Sequence, residues 1–318
     1  MQHPTRNQYK HAKRRYRTGN WAAYEAGLQR RGDLTIWFSE EAIRGWRARR
    51  RGRPGGQRCY AHLAIETALT VRAVYHLPLR QAEGFLRSIV RLLRIDLPIP
   101  DHTTLSRRGR ALGKLELDAR RGNGSLHIAV DSTGLRVHSG QRWTPPKQRA
   151  WRKLHLAVDR DSGEILAVEL SSRKTHDSTR VPKLLKQTSG RLRSVCADGS
   201  YDTAAVYEAL HERGGQRRPR VLIPPARNAR VRPDLPPELK ERNRNIRDVN
   251  RLGRRAWYRW SGAYGRARVE NTFSRYKAIL GREMRARTLA GQRVEARIGA
   301  KILNRMAQLG MPESYCVA

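Results

Sequence analysis

Apolar positions along this chain change their rhythm near residue 122. Before it they recur every three or four residues, the period of a helix with one buried face. In HLAIETALTVRAV, Leu63, Ala64, Ala68 and Val71 follow that spacing. In QAEGFLRSIVRLLRI, Phe85, Leu86, Ile89, Val90 and Leu93 form one stripe, with Arg87, Arg91 and Arg94 off it. Pro98 and Pro100 stop that helix, and Asp101 caps the next, which runs through LSRRGRAL. After residue 122 the apolar residues come in short runs. LHIAVDSTGLRVH reads as a strand, and RKLHLAVD and ILAVELSS read as a hairpin closed by the turn at 160–163. VPKLLKQTSG predicts a helix, SVCADGSY a strand, DTAAVYEALHERGG a helix capped by Asp202, and RVLIPP a short strand. Residues 225–260 are polar and basic and give no clear period. A long helix starts near Gly265, and a last one carries Ile298, Ile302, Met306 and Leu309. Three strands, then alternating helices and strands, predict an α/β core with a mixed sheet behind an all-helical region.

The boundary falls at 122–124, where Gly-Asn-Gly breaks the pattern. Four parts follow: a basic, partly ordered arm (1–56), a helical region (57–122), an α/β domain (123–312) and a short tail (313–318). The arm has 14 basic and 4 acidic residues, and Arg47 to Arg53 is almost unbroken positive charge. Trp21, Trp37, Phe38 and Trp46 give parts of it something to bury.

Charge then narrows the function. The chain of 318 residues has 66 Lys and Arg against 28 Asp and Glu, a formal net charge of +38. So strong an excess repels itself unless a polyanion neutralises it, and each phosphate contact releases counterions. Arginine-rich coding accounts for part of the excess, but not for the scarcity of acids. Nucleic acid is the expected partner. Helix, proline break, then a helix bearing Arg107, Arg108 and Arg110 fits a helix-turn-helix reader of DNA, although three-helix bundles without that role share the pattern. Cys59, Cys196 and Cys316 are scattered and odd in number, which excludes a zinc ribbon and fits a reducing, cytoplasmic, nucleoid-associated setting. No apolar run is long enough for a membrane span, and no secretory signal opens the chain. No phosphate-binding GxxxxGK[ST] loop or nucleophile elbow is present, which disfavours NTPases and acyl hydrolases.

Against this basic background three acids stand out. Asp131 ends the apolar run Ile128-Ala129-Val130, and Asp198 ends Val195-Cys196-Ala197 before Gly199. A carboxylate at such a position costs several kcal/mol if buried without a partner, and a divalent cation relieves that cost. Glu270 sits in a helix with Arg266 and Lys277, all within about 40° of one face at 100° per residue. A solvated face with a weak ion pair has the same spacing. Mg²⁺ or Mn²⁺ prefers such hard oxygen ligands. Two such ions, about 3.5–4 Å apart, suit in-line phosphoryl transfer.

These blocks together resemble bacterial insertion-sequence transposases of the DDE type, specifically the IS-five family. The resemblance covers roughly residues 57–312. It rests on VDSTGLRV, WRKLHLAVD, SRKTHDS, CADGSYD and the R-x3-E-x6-K run at Arg266, Glu270 and Lys277, in that order. It implies an RNase H-like fold, Asp131, Asp198 and Glu270 as catalytic metal ligands, and Arg266 and Lys277 in contact with double-stranded DNA. It also implies a homodimer on DNA that binds terminal inverted repeats, cleaves them and transfers the 3′-hydroxyl. Ala263 stands where related families place a tyrosine, with Tyr264 next to it.

Other candidates have simpler explanations. His155 alternates with Leu154 and Leu156, as a packed strand histidine does. Asp177 or Ser178 reads as a cap, and Asp159 and Asp161 as turn residues. Trp143, Trp151, Trp257 and Trp260 fit buried anchoring better than base stacking. Two rival readings remain: an inactive or domesticated DNA-binding descendant of a transposase, and a basic RNA-binding protein. Neither requires the acidic trio.

Overall fold

The structure, a computed structural model, describes residues 15–49, 52, 57–113, 115–117, 119, 124–138, 150–215, 218–234 and 236–317. The Gly-Asn pair at 122–123, Trp143 and Arg50, Arg51 and Arg53 of the Arg47 to Arg53 run lie outside the described residues.

The first part is helical. Strand β1 (Arg15–Thr18) precedes α1 (Trp21–Arg30), α2 (Leu34–Trp37) and α3 (Glu40–Arg44). Asp33 and Ser39 cap α2 and α3 with their side chains. Three longer helices follow: α4 (His62–Val74), α5 (Leu79–Leu92) and α6 (His102–Gly109). Trp37, Phe38 and Trp46 bury themselves against this group, and Trp46 Nε1 donates to the Pro98 carbonyl at 2.6 Å. Asp101 caps α6 as expected, accepting from the amides of Thr103 and Thr104.

The short link of this bundle is not where the prolines place it. Residues 75–78 alone join α4 to α5, turning at His76 with φ +55°. The segment 93–101, with both prolines, is longer and opens with a turn at Arg94, φ +53°. It is pinned by Trp46 on Pro98 and by the Tyr60 hydroxyl on the Ile99 carbonyl. Prolines end a helix, but the packing of their neighbours sets the length of the connection that follows.

The second part is a mixed sheet. β2 (Ser125–Val137), β3 (Trp151–Asp159) and β4 (Ile165–Ser172) form an antiparallel meander. After α7 (Val181–Leu185), β5 (Arg191–Cys196) returns parallel to β2. After α8 (Ala204–Gly214), β6 (Arg220–Leu222) adds parallel to β5. The order is β4-β3-β2-β5-β6, the strand order 3-2-1-4-5 of an RNase H-like sheet with only its second strand reversed. Asp202 does not cap α8. Its buried carboxylate instead takes a two-point bond from Arg242 at 2.9 and 3.1 Å, a stronger partner than a helix amide.

Residues 225–260, silent in the sequence pattern, hold α9 (Lys240–Leu252) and α10 (Arg254–Ser261). Few of their residues are apolar, but Ile246 and Trp257 are fully buried, which suffices to dock them. A 3₁₀ turn (Ala263–Arg266) leads into α11 (Ala267–Ile279). The two-residue strand β7 (Glu283–Met284) pairs parallel with the end of β2, and α12 (Leu289–Gln308) follows. β8 (Ser314–Val317) pairs antiparallel with β1, so both ends of the described chain meet in one ribbon.

Helix α12 joins the two parts. Val294, Ile298, Ile302 and Met306, four residues apart, enter the core of the helical bundle. Ala296, Ala300 and Leu303, on another face, enter the core under the sheet. One helix thus buries two stripes against two different layers.

Candidate active site

Three chain segments deliver the acids to one place. Asp131 lies inside β2, beyond its fully buried residues Ile128 to Val130. β5 runs beside β2, with Ala129 opposite Cys196, so Asp198 leaves β5 next to Asp131. Glu270 is in the first turn of α11, which packs across β2 and β3.

Each aspartate divides its two oxygens. Asp131 Oδ1 accepts from the Ser132 amide at 2.8 Å. Asp198 Oδ1 accepts from the Ser200 amide at 2.8 Å and its hydroxyl at 2.5 Å. Both Oδ2 atoms face the guanidinium of Arg266, at 3.9 Å from Asp131 and 3.8 Å from Asp198 on the same Nη1. Arg266 Nη2 reaches Glu270 Oε1 at 2.6 Å. One cation therefore stands among three carboxylates. Asp131 is the deepest of the three and Glu270 the most open, with side chains 17% and 51% exposed.

Arg266 only partly offsets the charge. Burial, with repulsion from Asp198 and Glu270, pushes the Asp131 carboxyl up to about 6, against the Ser132 amide and Arg266. Among the described residues no three His, Cys, Asp or Glu side chains form a ready-made ion cage. The donor set nonetheless fits a hard divalent cation: carboxylate oxygens with their outer atoms turned to one centre and more negative charge than one guanidinium balances.

The turn that presents Arg266 and Glu270 depends on contacts that no sequence pattern signals. Arg160, from the β3–β4 turn, donates to the Gly262 carbonyl at 2.8 Å. A Cβ on Gly265 would stand 1.9 Å from Arg160 Nε. Gly262 itself has φ +76°, a conformation that favours glycine. Lys277 Nζ donates to Thr133 Oγ1 at 2.6 Å, two residues beyond Asp131, and burial lowers its pKa. Tyr201 is 1% exposed, and burial plus the charges of Asp131, Asp177 and Asp198 keep its hydroxyl protonated. It lies in the CADGSYD block, the one sequence signal that could have flagged it.

Asp177 is not a helix cap. It pairs with Lys153 at 2.8 Å and lies 4.0 Å from His155 Nδ1. His155 is fully buried and shares a 2.7 Å hydrogen bond between Nε2 and the Ser171 hydroxyl. Burial pulls its pKa down to about 4, so it is neutral near pH 7. Trp257 is buried, Trp151 borders on exposed, and Trp260 is half-exposed with Arg220 over its ring. Tyr264 is exposed and packs on Tyr258. In the helical part, Arg107 and Arg110 are exposed, whereas Arg108 is half-buried and donates to the Tyr60 carbonyl at 2.5 Å.

Comparison with known proteins adds the family. A transposase DDE domain profile matches residues 122–305, more than half of the chain, and a second profile of the same description matches residues 29–140. Among solved structures, the piggyBac transposase synaptic complex with hairpin DNA is similar at 12% identity. That match covers 89% of this chain and 75% of that one, with a TM-score of 0.36. A pre-cleavage Mos1 transpososome is similar at 11% identity, covering 83% and 82%, with a TM-score of 0.22. At these scores the profile match alone carries the assignment: the chain belongs to the DDE transposases.

Proposed function

We propose that this transposase binds the terminal inverted repeats of an insertion sequence as double-stranded DNA, cleaves the strands at the element's ends and joins the freed 3′-hydroxyls to target DNA. In cleavage, the oxygen of water attacks a phosphorus atom and the bond to the 3′ oxygen breaks, leaving a 3′-hydroxyl and a 5′-phosphate. In joining, that 3′-hydroxyl attacks a target phosphodiester and one such bond replaces another, so no external energy source is needed.

What supports this reading is a single arrangement: an aspartate inside β2, an aspartate just past the end of β5 and a helix-borne glutamate turned to one point around Arg266. Asp131, Asp198 and Glu270 would hold a pair of Mg²⁺ or Mn²⁺ ions, which supply Lewis-acid charge for the displaced and attacking oxygens. The Ser132 and Ser200 amides fix the aspartates so that their outer oxygens need no reorganisation. Arg266, beside the carboxylates, and Lys277, hydrogen-bonded to Thr133, would grip the phosphates flanking the reacting bond. Arg107 and Arg110, exposed on the helical part, would reach DNA, whereas Arg108 is already committed to Tyr60. Because two ends must be joined in one event, the working form is a homodimer on DNA.

The test is incubation of the purified chain with duplexes carrying the DNA that flanks its own reading frame, in Mg²⁺. Wild-type protein is expected to nick at the repeat boundary, and Asp131→Asn, Asp198→Asn and Glu270→Gln to bind the same duplex without nicking. Binding without nicking by the wild type would instead identify an inactive DNA-binding descendant.

A further inference from the structure

We propose that α5 is the helix that enters the major groove of the end DNA, reading it with the face that carries Arg80, Gln81, Gly84, Arg87, Ser88 and Arg91. The proposal rests on the end-binding reading above and assigns it to a surface. It places the reader one helix earlier than the sequence pattern does.

Three observations carry it. First, the tight turn of the bundle is the link at 75–78 between α4 and α5, the connection length of a helix-turn-helix, whereas α5 and α6 are separated by the longer segment 93–101. Second, α5 has two sharply different faces. Ala82, Leu86, Ile89 and Val90 are buried in the bundle. Arg80, Gln81, Gly84, Arg87, Ser88 and Arg91 are all exposed and span about 120° of arc at 100° per residue. By contrast, α6 commits Thr104, Leu105 and Gly109 to the interior and Arg108 to Tyr60.

Third, the chemistry of that face suits a duplex. Its charged members are arginines. The helix's acid, Glu83, is turned inward, where it binds Arg87 at 2.7 Å and the backbone amide of His102 at 2.8 Å. Glu83 thereby holds Arg87 in place and ties α5 to the start of α6. Midway along the face the side chains are small. A Cβ on Gly84 would meet nothing within 4 Å, and the Ser88 hydroxyl folds back onto the Phe85 carbonyl at 2.7 Å. Small residues at the centre let a helix about 10–12 Å across settle into a groove about 12 Å wide. Arginine and glutamine flanking that gap are the side chains that pair with guanine and adenine edges.

Gly84→Glu tests this without disturbing the fold, because it adds bulk and negative charge into open space and replaces a poor helix former. The full chain is titrated with a labelled duplex of its own flanking DNA and with a scrambled duplex, at one salt concentration. Wild type is expected to prefer the flanking duplex. Gly84→Glu is expected to lose ~30-fold or more on that duplex with its thermal midpoint unchanged or raised, and Gln81→Ala to lose part of the preference. A folded Gly84→Glu within about threefold of wild type, with Arg107→Glu losing the preference, would overturn the assignment and make α6 the reader. A wild type with no preference between the duplexes would instead fail the end-binding reading itself and take this assignment with it.

Discussion

Removing the charge of Asp131 is expected to stabilise the ion-free protein. Its carboxyl is pushed up to about 6 from an ordinary 3.8, mainly by burial. A raised acid holds its proton more tightly folded than unfolded. The stability it contributes is therefore present near pH 4, falls as the pH rises towards about 6, and stays lost above that. A tenfold change in proton affinity corresponds to about 1.4 kcal/mol, so Asp131→Asn is expected to gain about 1–3 kcal/mol over wild type at pH 8 in chelator and almost nothing at pH 4. Thermal unfolding of both proteins at the two pH values checks this, and equal midpoints at pH 8 would refute it. The acids themselves were legible in the sequence because charged residues at the ends of apolar runs are rare in so basic a chain. Their partners were not. Arg266 against Asp131 and Asp198, Asp177 against Lys153 and Asp202 against Arg242 are pairings over long sequence separations, and no local pattern records them.

At the scale of elements, the turn before α11 sets the site. Arg160 fills the space where Gly265 has no side chain and holds the Gly262 carbonyl. Gly265→Ala is expected to displace Arg160, shift the start of α11 and cost about 1–3 kcal/mol of stability. DNA nicking is expected to fall further than that stability loss explains, since Glu270 moves with the turn. Parallel measurement of midpoint and nicking rate tests the point, and an unchanged rate would contradict it. The elements most visible from sequence were those with a clear period: α4, α5, the three-strand meander and α12. The helices α9 and α10 were invisible because each buries few side chains, so polar residues hide their period. The bundle's tight turn was misplaced because prolines mark where a helix stops and not how far the chain then travels.

For the whole molecule, the bundle and the sheet share α12 and its two buried stripes. A fragment of residues 1–122 lacks Val294, Ile298, Ile302 and Met306, and is expected to show little cooperative unfolding by circular dichroism, where the full chain shows a clear transition. A fragment that melts as sharply as the whole would contradict a shared core. The net charge of +38 acts at the same scale. The logarithm of DNA affinity is expected to fall with the logarithm of salt at a slope of about −5 or steeper, as for six or more phosphate contacts; a flat dependence would remove the polyanion argument. The central claim is that Asp131, Asp198 and Glu270 act as one ion-holding centre, and calorimetric titration with Mn²⁺ tests it most directly. Wild type is expected to bind, and Asp131→Asn, Asp198→Asn and Glu270→Gln, each folded, to weaken binding about tenfold or more, at least what loss of an outer-shell partner costs. Mn²⁺ affinity unchanged in all three would contradict the account.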